Sequence, residues 1–190
     1  MRISGGKARG IPLTVPRGEQ VRPATDGLRQ AVFSALGPRV VGATFLDLFA
    51  GSGAYGLEAL SRGAEAGGFV ERNAAALAAL RGNLAAVAKS AGVAEAGFWV
   101  EAGDAAGVPW RGVATGPDLV FIDPPYDLIA EVGPRVLAAV AGMASEDVVV
   151  VFEMPGELTI VAEGWREVKR LGRGARQPTV VLFRRVGVGG

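Results

Sequence analysis

From residue 44 onward, short apolar runs alternate with longer stretches of helical period. Runs at 44–49, 66–70, 97–100, 118–122 and 148–152 have strand length, and the segments near 54–62, 73–90 and 127–141 carry helical spacing. Gly63 can stop the first helix and Asn73 can cap the second. Apolar runs divided by helices describe βαβ units, whose right-handed crossovers give a parallel sheet buried on both faces. The last part changes character. Residues 165–170 and 179–184 read as two strands joined by a Gly/Arg-rich connection at 172–178, an antiparallel pair at the sheet edge.

Residues 1–39 precede this alternation as an extension. Strand-like pieces at Arg2-Ile3-Ser4 and Pro12-Leu13-Thr14-Val15 are followed by a helix over 26–36, with Thr25 as its N-cap and an apolar stripe of Leu28, Val32, Ala35 and Leu36. Gly37-Pro38 ends it. With no internal repeat or low-complexity linker, 1–39 and 40–190 read as one unit, a basic extension on an α/β domain.

Composition narrows the chemistry. The 190 residues include no cysteine and no histidine, which excludes disulfides, thiolate nucleophiles, imidazole acid–base work and the usual zinc sites. The expectation is a metal-free chain working with carboxylates, backbone groups, aromatic rings or a cofactor. No 18-residue uncharged apolar stretch occurs and residues 1–4 do not open the apolar core of a signal peptide, so a soluble, cytoplasmic monomer with no membrane partner is expected. The scarcity of asparagine and glutamine fits a thermophile or a G+C-rich genome.

The net charge of +1 hides a segregation: residues 1–39 carry +5, 40–164 carry −10 and 165–190 carry +6. If folding brings the basic ends together, they form a polyanion-binding face beside an acidic middle; otherwise they are solvated tails. Lys7, Arg9, Arg22 and Arg29, with Arg17, have the glycine-interleaved spacing of a surface that tracks a nucleic-acid backbone.

The run at 44–49 ends in Asp47-Leu48-Phe49 and enters Ala50-Gly51-Ser52-Gly53-Ala54-Tyr55-Gly56, a Gly-x-Gly-x-x-Gly turn between strand and helix, where missing β-carbons let a ligand approach the backbone. Glu71 ends the second strand, 24 residues after Asp47, and can accept both ribose hydroxyls; Asp104 ends the third, near where an adenine edge would lie. Each acid alone could simply cap the next helix. Three at successive strand ends, on the edge where open α/β sheets bind ligands, point to a nucleotide-like cofactor. A nicotinamide dinucleotide places its pyrophosphate at the helix N-terminus. S-adenosylmethionine has no phosphate and carries an amine, so Asp47 beside the turn favours it.

Residues 123–126 read Asp-Pro-Pro-Tyr directly after the apolar run Leu119-Val120-Phe121-Ile122. A proline turn at a strand end explains the prolines, but not the acid before them or the aromatic after. An exocyclic amino nitrogen is a poor nucleophile because its lone pair is delocalised into the ring. If the Asp123 carboxylate and the Pro124 carbonyl each accept one N–H, that lone pair localises, and Tyr126 can stack on the base. The base must be extruded or single-stranded to be reached.

Asp-x-Phe-x-Gly-x-Gly followed by Asp-Pro-Pro-Tyr resembles the class I, Rossmann-type methyltransferases that modify exocyclic amines. Together with Arg2-Ile3-Ser4-Gly5-Gly6-Lys7-Ala8-Arg9-Gly10, Arg22-Pro23-Ala24-Thr25-Asp26 and Gly56-Leu57-Glu58-Ala59-Leu60-Ser61-Arg62-Gly63, it closely resembles the RsmD family over nearly the whole chain. The resemblance implies a mostly parallel seven-stranded sheet and methyl transfer from S-adenosylmethionine, leaving S-adenosylhomocysteine, to the N2 amino group of guanine 966 of 16S ribosomal RNA in an assembled or partly assembled small subunit. It implies that Asp47, Gly51, Gly53, Glu71 and Asp104 bind the cofactor, with Thr25 and the backbone of Phe49 and Ala50 nearby, and that Asp123, Pro124 and Tyr126 hold the base.

Other readings stay open on the residues alone. DNA adenine or protein glutamine methyltransferases use a similar tetrapeptide, usually with asparagine first. A nicotinamide oxidoreductase would need a proton-transfer residue such as histidine or a Tyr-x-x-x-Lys pair, which this chain lacks. An inactive RNA-binding Rossmann domain would bind cofactor without turnover.

Overall fold

In the computed structural model, which describes residues 1–16, 25–107, 110, 116–172, 174 and 177–187, eleven helices and strands build one sheet with helices on both faces. The extension supplies α1 (Asp26–Leu36). Then follow β1 (Thr44–Leu48), α2 (Ala54–Ser61), β2 (Ala66–Glu71), α3 (Ala74–Ala91), β3 (Phe98–Ala102), β4 (Leu119–Ile122), α4 (Ile129–Met143), β5 (Val149–Pro155), β6 (Trp165–Leu171) and β7 (Pro178–Arg185). The strand order is β3-β2-β1-β4-β5-β7-β6. The pairs among β1 to β5 are parallel, whereas β7 runs antiparallel to both β5 and β6. This is the α/β sheet with an antiparallel edge pair that the hydrophobic pattern predicts, in the Rossmann-like form that the resemblance implies.

Local signals account for the helix ends. Thr25 Oγ1 accepts the Leu28 amide at 3.2 Å, and Asn73 Oδ1 accepts those of Ala75 and Ala76 at 2.9 and 3.0 Å. Gly92, with φ 70°, closes α3. One boundary departs from the pattern in a way that matters. The run at 148–152 predicts a strand ending at Phe152, but β5 continues through Pro155 because β7 lies beside it, pairing Glu153 with Val180 and Pro155 with Pro178. A polar residue is thereby drawn into the sheet.

The two faces carry separate cores. Phe45, Leu119, Phe121, Val151 and Leu182 face α1, α2 and α3, together with Ile3, Ala8 and Leu13 from the extension. Leu46, Leu48, Val120, Ile122, Val150 and Phe152 face α4. Each strand thus contributes alternate residues to alternate faces. The extension also docks through polar contacts: Ser4 N and Oγ donate to Glu58 at 2.8 and 2.7 Å, and Asn83 holds both Thr14 and Ser52. Among the described residues no helix is long and apolar enough to cross a membrane.

Candidate active site

The sheet order reverses between β1 and β4, since β1 continues through β2 to β3 on one side and β4 through β5 on the other. Open α/β sheets bind ligands outside the carboxyl ends of the strands at such a switch point. Both sequence motifs fall there. The glycine turn leaves β1, Asp-Pro-Pro-Tyr leaves β4, and the Asp123 amide reaches the Leu48 carbonyl at 3.4 Å.

At the glycine turn the backbone is held open. Gly51 and Gly53 have φ of 53° and 85°, and Phe49 has φ of 59°, a left-handed conformation that costs a residue with a β-carbon of order 1 kcal/mol or more. A β-carbon on Gly51 would meet nothing, so its Cα faces open space; one on Gly56 would run into the Phe69 and Phe45 rings. The first glycine of the turn leaves room for a ligand and the last brings α2 down onto the sheet.

The acids at the strand ends are tied to this turn. Asp47 is buried, and its Oδ2 accepts the Gly56 amide at 2.8 Å, satisfying one of the unpaired donors in the first turn of α2. Burial chiefly pushes its carboxyl up to about 8; the Gly56 hydrogen bond opposes this and the Glu71 charge adds to it. Glu71 accepts three backbone amides, from Gly51 at 2.8 Å through Oε2 and from Arg72 and Asn73 at 2.8 and 2.7 Å through Oε1. That uses three of a carboxylate's roughly four acceptor directions. Glu71 therefore joins β2 to the glycine turn and keeps capacity for a further donor. Asp104 lies just past β3, takes the Ala106 amide at 3.0 Å and stands 3.8 Å from Arg72.

On the other side of the switch point, Asp123 is half-buried, Pro124 buried and Tyr126 exposed at 39%. Tyr126 opens a short 3-10 turn, Tyr126–Leu128, ahead of α4. Beneath this loop lies a polar cluster that the sequence reading missed. Tyr55 stacks on Phe121 with ring centroids 5.5 Å apart and donates its hydroxyl to Glu153 Oε2 at 2.7 Å. Glu153 is 1% exposed. Burial raises its carboxyl to about 7, against the Tyr55 hydrogen bond and the Arg29 charge. Burial, then Glu153, then Asp47 hold the Asp123 carboxyl well above the usual carboxylate range. Glu153 follows an apolar run as Glu71 and Asp123 do, and that position was the signal that could have found it.

The basic residues are sorted differently from the sequence expectation. Arg29 is a correction: it is 0% exposed and cannot lie on an RNA-facing surface. Its Nη2 donates to the Arg2 carbonyl at 2.7 Å and to Asp26 at 2.6 Å, and its charge faces Tyr55 and Glu153. Lys7 and Arg9 are exposed, but the Lys7 amide donates to the Ser61 carbonyl at the C-terminal end of α2. Since α2 starts at the carboxyl edge, those two side chains sit at the opposite edge, roughly 12 Å away by helix rise. Arg17 and Arg22 lie outside the described residues, as do Arg173 and Arg176. α1 packs against β6 and β7, which joins the extension to the antiparallel edge pair.

A hollow of about 220 Å³ lined by Arg39, Gly42, Asp118 and Asp147 opens at the amino edge, away from both motifs. Among the described residues no group of three or more acidic side chains is placed to hold a metal ion.

Known proteins match this arrangement. A family described as conserved hypothetical protein 95 matches residues 1–181. Ribosomal RNA small subunit methyltransferase D of Escherichia coli strain K12 is 41% identical over 126 residues, which cover 66% of this chain and 60% of that relative's length. The solved structure of yhhF from Escherichia coli, a candidate methyltransferase by its name, superimposes with a TM-score of 0.78 at 32% identity, covering 97% of both chains. A hypothetical protein of Thermus thermophilus superimposes with a TM-score of 0.73 at 29% identity over 98% of this chain and 99% of its own. With the glycine turn, Asp-Pro-Pro-Tyr and the docked extension all inside the matched span, the chain belongs to the conserved hypothetical protein 95 family, which is the RsmD family.

Proposed function

We propose that this chain transfers a methyl group from S-adenosylmethionine to the N2 amino group of a guanine in 16S ribosomal RNA of the small subunit, guanine 966 in the usual numbering. The observation that carries the reading is the meeting of the open glycine turn with Asp-Pro-Pro-Tyr at one switch point. The family and the name of the Escherichia coli relative support the substrate class.

The residues fit the cofactor. The open face at Gly51 admits an adenosyl group, Glu71 can take ribose hydroxyls, and Asp47 supplies an acid near the amine of the methionine end. Bound there, S-adenosylmethionine supplies an already activated methyl on a sulfonium. The chain's own task is then positioning and electrostatics. Asp123 and the Pro124 carbonyl accept the two N–H groups of the target amine, and Tyr126, exposed at the mouth, stacks on the base. Lys7 and Arg9 contribute to RNA docking only if the RNA wraps to the far edge; Arg22 is the remaining candidate of the extension.

The test is transfer of a labelled methyl group to small ribosomal subunits, compared with naked 16S RNA, duplex DNA and release factors, with the modified base mapped by mass spectrometry. Label on a guanine N2 of the subunit is expected. Asp123→Ala should still bind the cofactor and lower transfer on the order of 100-fold or more. Label on DNA or protein alone, or cofactor binding with no transfer to any of the four, refutes the reading.

A further inference from the structure

Asp47, Asp123 and Glu153 stand on one face of the sheet at the carboxyl ends of three adjacent strands. Asp47 is in register with Phe121, and Phe121 with Val151. Asp123 and Glu153, each two residues further, are therefore neighbours on the face that α1 and α2 cover. Tyr55 from α2 donates to Glu153 Oε2 at 2.7 Å, while Glu153 Oε1 is buried and accepts no hydrogen bond among the described residues. Among those residues Arg29 from α1 is the one cation facing the group, and its Nη2 already serves Asp26 and the Arg2 carbonyl. β7 sets only Val180 beside Glu153. Neighbouring carboxyl groups at least half-buried, with the one nearby cation set against Glu153, resist ionising together.

We propose that Asp123 and Glu153 act as one proton-holding pair, which gives up its proton when the cationic cofactor docks and takes one back from the target amino group during methyl transfer. The inference rests on the methyl-transfer reading above. It follows from a conflict within the site. Asp123 must be ionised to receive a proton from the amine, yet burial first, then the neighbouring Glu153 and Asp47, raise its carboxyl well above the usual carboxylate range in the free chain, which favours the protonated form. A sulfonium bound where its methyl can reach the nitrogen held by Asp123 would bring positive charge toward the carboxyl and favour its ionised form. A proton leaves to solvent at that stage.

The transfer step then balances. The nitrogen lone pair forms the new N–C bond, the C–S bond breaks with its electron pair left on sulfur, and the surplus N–H proton passes to Asp123. The sulfonium charge is gone at the same moment, so the pair is again stable with a proton on it. One proton is released per methyl moved. Glu153 is a positioning residue here, because it acts through Asp123 and does not touch substrate.

The measurement is titration calorimetry of the full chain with S-adenosylmethionine and with S-adenosylhomocysteine, in buffers of different ionisation enthalpy, between about pH 6 and 8. The two ligands share every group except the methyl and the sulfonium charge it confers. The unmodified protein should release about half a proton to one proton more with S-adenosylmethionine near pH 7. Asp123→Asn should lose that excess. Glu153→Gln should keep it and move its pH midpoint down by about one unit, because the like charge beside Asp123 is removed. Equal proton counts for the two ligands in the unmodified protein overturn the proposal whether or not the variants fold. So does a full excess in Asp123→Asn, or an unmoved midpoint in Glu153→Gln. Absence of any binding overturns the cofactor reading and this proposal with it, whereas binding with equal proton counts overturns the proposal alone.

Discussion

Asp47→Asn should make the chain more stable at pH 8 while leaving its fold intact. Asp47 is 2% exposed, and burial chiefly, with the Glu71 charge, raises its carboxyl from 3.8 to about 8. Between those values the folded chain binds a proton that the unfolded chain has lost, so stability falls as pH rises through the window. Integrated from pH 5 to pH 8, this one group removes on the order of 4 kcal/mol. Asparagine is isosteric with the protonated acid, and its Oδ1 can still accept the Gly56 amide that Asp47 holds at 2.8 Å. The stability gap between variant and parent should therefore widen by about that amount, or roughly 8–16 °C in melting temperature for a chain of this size. Urea denaturation of both proteins at pH 5 and pH 8 measures it. A gap constant to within ~1 kcal/mol would show that Asp47 does not carry the proton, and the argument would fail. The same variant should bind S-adenosylmethionine more weakly, since the methionine amine loses an acid partner. The acid thus costs stability at a position where the proposed cofactor needs it.

Gly56→Ala should destabilise by about 1–2 kcal/mol in thermal melts despite a helix-propensity gain of about 1 kcal/mol, because its β-carbon meets the Phe45 and Phe69 rings; a stabilised variant would show that those rings yield freely. Arg29→Met should cost about 3 kcal/mol, the low end for breaking a buried pair because the Asp26 side chain remains 41% exposed. It should leave the salt dependence of RNA binding unchanged, and a shallower salt slope would return Arg29 to the RNA interface. Tyr126→Ala should lower methyl transfer with unaltered cofactor affinity, read by turnover against calorimetry; equal turnover removes the stacking role.

The relation between sequence and structure is clearest at the strand ends. Glu71 and Asp123 could be placed because each closes an apolar run, and Asp47 because it stands just before the glycine turn; a run of buried strand length followed by a turn is a local pattern. Glu153 follows the same rule, yet its position inside the sheet was not readable, because β5 is extended by a partner strand that comes 23 or more residues later in the chain. Tyr55 reads as one more residue of a glycine motif until α2 lies over Phe121 and its hydroxyl meets Glu153. Arg29 shows the opposite failure. A basic residue in a basic segment looks solvated, and only the packing of α1 on the sheet turns it inward to a carbonyl and two acids.

Sequence alone determined the alternation of strands and helices, the caps at Thr25 and Asn73, and the two motifs that point to the chemistry, the glycine turn and Asp-Pro-Pro-Tyr. These are local properties: backbone preference, side-chain period and hydrogen bonds reaching a few residues along the chain. Tertiary structure decided which charges meet. The register of β1, β4 and β5 set Asp123 beside Glu153 with Asp47 two residues earlier on the same face, and the docking of α1 and α2 brought Arg29 and Tyr55 to Glu153. Charge interactions depend on distance and burial, neither of which a position along the chain specifies.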